Sequence, residues 1–506
     1  MTFARVLGGA TMAAGMLMGT TALADVTSSQ VWGDLKSYLE GFGYVITADE
    51  AQGADGLTVS NAVMVMEMPE NGGTARVTLP DFSFSDAGDG TVAVTMPDAA
   101  TTTYDLDIEG EGDASGEIEY THSGFVMTVS GSPGDMVYDY RAADMQMVFR
   151  NLVVDGKPVD IAAARVGMSD LEGQSTSRMA DDLRTIAQSM RAGSMSYDLD
   201  MADPENGTGR MVVNGAVTAL DFTGTTTIPA SATPTNDMGA MLEAGFGFDG
   251  TFTHNGSQTE FSFEEEDGSA MAGTSSSQSG TLGVRMDAGQ LGYAIGARDV
   301  TLNLTSSDLP FPVEMAMAEN TVRFQMPVTP DDEPQDFALG IKLGDFVMSD
   351  MIWAMFDPAG QLPRDPATLA VDLTGTATLD TPLMDPEAME SPEAPGELRT
   401  LTIADLVLRL AGAELTGMGD FAFDNSDTTT FDGIPRPEGA VNLRLVGGNR
   451  LLDTLIAMGL VQQEQATGVR MMMGLFAVPA EGEDTLTSRI EINEQGHVLA
   501  NGQRLR

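Results

Sequence analysis

Side chains able to do chemistry are scarce in this chain. Three histidines, His122, His254 and His497, stand among 506 residues with no cysteine. None has a second histidine or a carboxylate at the spacing of a metal site, so no metal ligand is assigned. There is no HExxH, no GxSxG and no phosphate loop ending in GK[ST]. Gly245, Gly247 and Gly250 of "GFGFDG" follow the GxGxxG order. A dinucleotide site needs a strand before that motif and a helix after it; here a helical stretch precedes and the strand "TFTHNG" follows. Acidic pairs are too frequent for any one of them to point to glycoside chemistry. Two acidic clusters could grip calcium: "DAGDGT", with Asp86 and Asp89, and "FEEEDGS", from Glu264 to Asp267. Both lack the alternating ligands and closing Glu of the known loop, and read as exposed turns. These residues supply no catalytic group and no cofactor site, and the chain reads as a binding protein, not an enzyme.

Methionine is the unusual resource, with 35 residues. "MVMEM" places Met64, Met66 and Met68 on one strand face, and "MQM", "MAM" and "RMMM" repeat the theme. Core filling comes first, because a thiol-free protein needs apolar volume. An adaptable apolar surface comes second, because the flexible thioether accepts varied greasy partners. A Cu(I) site comes third: thioethers are soft ligands, but a histidine or cysteine nearby is not evident in the sequence. The positions that best fit a ligand-facing surface are Met64, Met66, Met68, Met315, Met317, Phe324 and Met326, all on alternating runs.

The elements that carry these residues are strands. Apolar side chains recur every second residue in "TVAVTM", "TYDLDIEG", "SMSYDLDM", "DVTLNL", "VEMAM", "TVRFQM", "ALGIKL" and "VNLRLV". That period belongs to half-buried antiparallel strands. Roughly twenty such runs, separated by Gly- and Asp-rich turns, predict a mainly β protein. The expected architecture is an elongated, curved antiparallel sheet of many amphipathic strands with a few short capping helices. Helices are expected in "TSSQVWGDLKSYLEGFG", where Thr27 and Gln30 form a capping box, in "STSRMADDLRTIAQSMRAG" and in "DFVMSDMIWAMFDP". A helical pair is expected in "GNRLLDTLIAMGLV" and "ATGVRMMMGLFAVP". A faint echo links "EYTHSGFVMTVSGSPGD" with "TFTHNGSQTEFSFEEEDG" and suggests a duplicated β half. The chain divides into residues 25–235 and 236–506, two β-rich halves that are open to being one continuous fold.

The first 24 residues read as a leader. Arg5 gives a short charged region, an apolar stretch follows, and Ala22-Leu23-Ala24 is the small-x-small pattern of a cleavage site, with Asp25 as the mature start. No later segment approaches the ~18 continuous apolar residues of a membrane helix. A soluble periplasmic protein is expected, and the lack of cysteine suits an oxidising compartment. Lys and Arg number 25 against 75 Asp and Glu, a formal charge of −50. Such a chain repels nucleic acid and anionic membrane surfaces. The acids are scattered and keep the surface hydrated.

The segment "WAMFDPAGQLPRDPATLAVDLTG" reads as a connection from a helix to a strand. Asp357-Pro358 stops the helix, because the residue before proline is pushed out of the helical region. Pro363 and Pro366 then hold Arg364-Asp365 extended. The same segment carries a resemblance. Asp357, Pro358, Gly360, Leu362, Pro363, Arg364, Asp365 and Pro366, together with the Asn501-Gly502 ending, resemble a family of unknown function among exported proteins of Gram-negative, alphaproteobacterial-type bacteria. The resemblance covers residues 340 to 506 closely and the rest of the chain loosely. The layout of repeated amphipathic strands is distantly similar to AsmA-like envelope proteins. That similarity implies long curved sheets with an apolar inner face linked to lipid traffic. The expected partners are therefore lipid or another apolar ligand in envelope maintenance, and envelope proteins. A scaffold with a closed β core, and a Met-rich copper binder, stand behind that expectation.

Overall fold

The computed structural model describes residues 25–68, 73–108, 112–202, 209–229, 238–384 and 394–506. The leader expected over residues 1–24 lies outside them. Among the described residues there are 28 strands and five helices, and every strand joins one antiparallel hydrogen-bonded network. The helices are α1 (Ser28–Glu40), α2 (Met238–Glu243), α3 (Asp350–Phe356), α4 (Gly448–Ala457) and α5 (Gln463–Phe476). The chain is thus mainly β with a large antiparallel sheet, as its period of two implied. Hydrogen bonding also crosses residue 235, because strand Arg210–Pro229 pairs with both Gly247–His254 and Ser257–Glu264.

The capping box of α1 forms as expected, with Gln30 N donating to Thr27 Oγ1 and Thr27 N donating to Gln30 Oε1. The C-terminal helical pair becomes α4 and α5. The helix expected in "STSRMADDLRTIAQSMRAG" does not form. Those residues make a hairpin between strands Ile161–Ala180 and Leu183–Ala202. Asp181 and Asp182 turn it with φ of 49° and 62°. A two-residue hairpin of the favoured twist needs positive φ at both positions, and Asp tolerates it. Ile186 and Met190, four apart, fit a period of two as well as a helix, which misled the reading. The helix expected from Asp345 also begins late. Asp345 to Met348 stay in strand Gln335–Met348, and α3 starts after Ser349.

Between Gly56–Met68 and Asp135–Val154 the sheet continues as long strands interrupted near their middles. Gly73–Thr78 runs on into Phe82–Asp86, Val92–Thr95 into Ala99–Ile108, and Gly112–Ser123 into Val126–Ser132. The same arrangement recurs between Arg210–Pro229 and Gln290–Ser306, where Gly247–His254 runs on into Ser257–Glu264 and Ala270–Ser277 into Ser279–Met286. Two of the interruptions fall at Thr121-His122-Ser123-Gly124 and at Thr253-His254-Asn255-Gly256, where Gly124 and Gly256 take φ of 63° and 116°. The echo seen in the sequence marks these two matching interruptions.

Each long strand also breaks its alternation once, near its middle. Ala142 and Met145, Met168 and Leu171, Ala192 and Met195, and Val217 and Leu220 are three residues apart, yet all pack in one cluster. Asp170 (φ 49°) and Ala219 (φ 50°) take left-handed conformations at this line, and Asp299 and Asp345 do so farther along the sheet. A left-handed residue resets the pleat, so the apolar face stays continuous across the line while the strand kinks.

The main core lies under α1. Val31 and Trp32 pack with Ile46, Leu57, Val59, Phe84, Val92, Val94, Val129 and Met136. A buried polar network pins the helix. Arg184 Nη1 donates to Asp34 Oδ1 at 2.7 Å and to Ser177 Oγ at 2.8 Å, and the Tyr138 hydroxyl donates to Asp34 Oδ2 at 2.7 Å. Burial pushes the Tyr138 hydroxyl pKa well above its ordinary value, with the Asp34 charge adding to the effect. A smaller core joins Trp353 of α3 to Leu362, Ala411, and Leu451 and Leu455 of α4.

Candidate apolar ligand face

Along strands Ser279–Met286, Gln290–Ser306, Val313–Pro327, Gln335–Met348, Ala367–Leu379 and Gly396–Leu410 few side chains are buried, the burial pattern of a sheet one layer thick. Cross-strand register lines up two apolar rows on one face. Leu282, Ile295, Val322, Ile341, Val371 and Leu406 form the first. Val284, Tyr293, Phe324, Leu339, Leu373 and Ile403 form the second. Six strands spaced about 4.8 Å apart make each row roughly 24 Å long. Several members are not covered: Leu282 is 37% exposed, Tyr293 40%, Ile295 38%, Leu339 39% and Ile341 39%. Isolated exposed leucines mean little, but a contiguous apolar stripe marks a binding surface.

The floor of this face is smoothed by ring-on-glycine pairs. The Phe337 ring lies over Gly375, where an added Cβ would stand 2.7 Å from it, and Phe261 lies over Gly273 in the same way. The opposite face is polar. Arg323 pairs with Asp372 at 2.6 Å, and Lys342 pairs with Glu319 at 2.6 Å. The hydrogen bond from Lys342 holds the Glu319 carboxyl below the usual carboxylate range. One face is therefore built for water and the other is not.

The positions singled out in the sequence divide. Met315, Met317, Phe324 and Met326 all lie on strand Val313–Pro327 and are half-buried. Phe324 sits between Tyr293 and Leu339 in the second row, Met326 pairs with Leu291, and Met315 pairs with Leu302 and Met348. Met64 packs against the core under α1. Met66 is half-buried on the same strand, opposite Ala75. The side chain of Met68 lies outside the described residues. Tyr293, Ile295, Leu339 and Ile341 were missed as site residues, although "LGYAIGA" and "ALGIKL" alternate as clearly as the methionine runs. Methionine drew attention by its rarity elsewhere, while the exposed stripe is built of ordinary aliphatics.

The other sequence candidates are occupied locally. Asp86 accepts from Ser28 N at 2.8 Å and so holds the start of α1, while Asp89 accepts from Thr91 and Asp267 from Ser269 N within their own turns. Among the described residues no group of three or more His, Asp or Glu side chains could hold a metal ion. "GFGFDG" runs from just beyond α2 into strand Gly247–His254, the reverse of the dinucleotide order. Asp357 is buried in the 357–366 connection and its carboxylate accepts from Gln361 N and Leu362 N. Arg364 pairs with Asp350 and stands over the Trp353 ring at 5.9 Å. That connection is a structural brace for α3. Among the described residues no helix is long and apolar enough to cross a membrane.

A family model described as an uncharacterised protein conserved in bacteria (DUF2125) matches residues 246–502, the span that contains both apolar rows. No curated protein and no solved structure matches the chain.

Proposed function

We propose, for a chain that belongs to the DUF2125 family of uncharacterised proteins conserved in bacteria, a non-catalytic role in the cell envelope: binding the acyl chains of a lipid on the open sheet face. The observation that carries this reading is the double apolar row from Leu282 to Leu406 and from Val284 to Ile403, with Leu282, Tyr293, Ile295, Leu339 and Ile341 exposed and the other members half-buried. A row of ~24 Å exceeds the ~15 Å that acyl chains span in one leaflet of a ~30 Å hydrocarbon core, so a lipid tail can lie along it in full. The leader-like first 24 residues and the absence of cysteine support a periplasmic address.

Native mass spectrometry with lipid extraction, on protein prepared from the periplasm without detergent, tests the proposal. Phospholipid at near-stoichiometric level supports it. A clean, ligand-free mass overturns it and turns attention to a protein partner for the same face.

A further inference from the structure

Cross-strand register brings a histidine and three methionines into one line. His122 lies opposite Met145, Met145 opposite Met168, and Met168 opposite Met195, on four adjacent strands. Directly opposed residues have Cβ atoms about 4.5–5.5 Å apart, so His122, Met145 and Met168 span about 10 Å and can converge over the middle position, while Met195, about 14 Å from His122, flanks them. All four share a face. Met145, Met168 and Met195 pack against the cluster of Ala142, Leu171 and Ala192, as does Phe125, and the Phe125 ring contacts the His122 ring at 5.4 Å.

The histidine lacks what a buried imidazole needs. Its side chain is 4% exposed. Neither ring nitrogen has a hydrogen-bond partner among the described residues, and the nearest carboxylate, Asp98, stands 3.9 Å from Nδ1. Tyr120, whose ring lies 5.6 Å from that of His122, also has a buried hydroxyl with no partner. An unsatisfied polar group in such a place costs free energy, and native proteins rarely leave one without a purpose.

We propose that His122, Met145 and Met168, with Met195 packed beside them, bind a soft monovalent cation, Cu(I) or Ag(I). Imidazole and thioether donors suit such ions. The row contains no carboxylate to favour calcium or magnesium. Asp98, at the Nδ1 side, is placed to orient the ring from outside and leave Nε2 for the metal. The second strand interruption gives an internal comparison. His254 occupies the matching place, and its Nδ1 also lacks a partner among the described residues, but it faces Gly280 with no thioether opposite. The site therefore belongs to the first interruption alone. It lies outside the family-matched span and does not depend on the lipid reading.

The test is an anaerobic titration of the full mature chain with Cu(I) against a chromophoric chelator, repeated with Ag(I) in air. One ion per chain is expected. Met168→Leu conserves volume and leaves folding intact, yet should weaken binding at least tenfold, and His122→Ala should do the same. Met315→Leu, on a distant part of the sheet, should change nothing. Chemical-shift movement of the His122 imidazole on adding Ag(I) gives a readout independent of affinity. Stoichiometric binding unaltered in both Met168→Leu and His122→Ala overturns the proposal, as does the absence of binding in folded wild-type protein.

Discussion

Replacing Ile341 with Thr tests the open face most directly. The side chain is 39% exposed and flanked across the ladder by Val322 and Val371. Full burial of an isoleucine is worth roughly 2.5 kcal/mol, so a ligand that covers the exposed two-fifths gains about 1 kcal/mol from this residue. Threonine forfeits most of that and adds a hydroxyl that the ligand must desolvate, at roughly 1 kcal/mol by the lower mutational figures. The sum, ~2 kcal/mol, is about a thirtyfold loss of affinity. Thr is β-branched and favoured in strands, so the ladder should persist. The assay is a fluorescence titration with a lipid bearing an environment-sensitive acyl chain, run beside thermal unfolding. The expected outcome is a Kd raised about thirtyfold with the melting temperature nearly unchanged. An unchanged Kd refutes the placement of the ligand. A collapse of stability with no exposed-site phenotype refutes the premise that this face is open.

Arg364→Ala should lower stability by about 1 kcal/mol through loss of the Asp350 pair and the Trp353 contact, and leave lipid binding intact; selective loss of binding at unchanged melting temperature contradicts the brace assigned to residues 357–366. Arg184→Met alone should cost roughly 3–5 kcal/mol in urea unfolding, because it strands the Asp34 charge beside the α1 core. The double variant Asp34→Leu with Arg184→Met should recover much of that loss; a double variant no better than the single one speaks against a pairwise anchor. Asp357 gives a pH effect of known sign. The backbone N–H groups of Gln361 and Leu362 hold its carboxyl below the usual range, so its folded pKa lies under its unfolded one. Its stabilisation is then complete above the ordinary carboxylate value of ~3.9 and is lost as pH falls through the lowered value. Denaturation midpoints measured from pH 6 down to pH 3 should fall less steeply for Asp357→Asn than for the wild type, and parallel curves would remove Asp357 from the account.

Fold class was legible because a period of two survives in nearly every strand, and α1 because Thr27 and Gln30 announce its start. Strand count was not legible, and the reason is physical. "VEMAM" and "TVRFQM" read as two strands, but both belong to Val313–Pro327. The phase of alternation slips between Met317 and Val322, and a slip in a linear pattern cannot be told from a turn. Only register across strands shows that neighbours slip together, as Val300 and Ile295 do opposite Met317 and Val322. The same limit hid both sites. Ile295, Val322 and Ile341 are members of one row only once three ladders are aligned. His122 and Met195 are 73 positions apart in sequence and three strands apart in space. A copper site ranks third from the sequence because no histidine stands beside a methionine cluster along the chain, whereas in a sheet the chemical neighbours are the residues opposite. Met64 of "MVMEM" went to the side of the α1 core, while the solitary-looking Met145, Met168 and Met195 came together. For a single-layer sheet, then, a function carried by rows leaves half its signal in each strand, the residue type and its face, and the other half in the register.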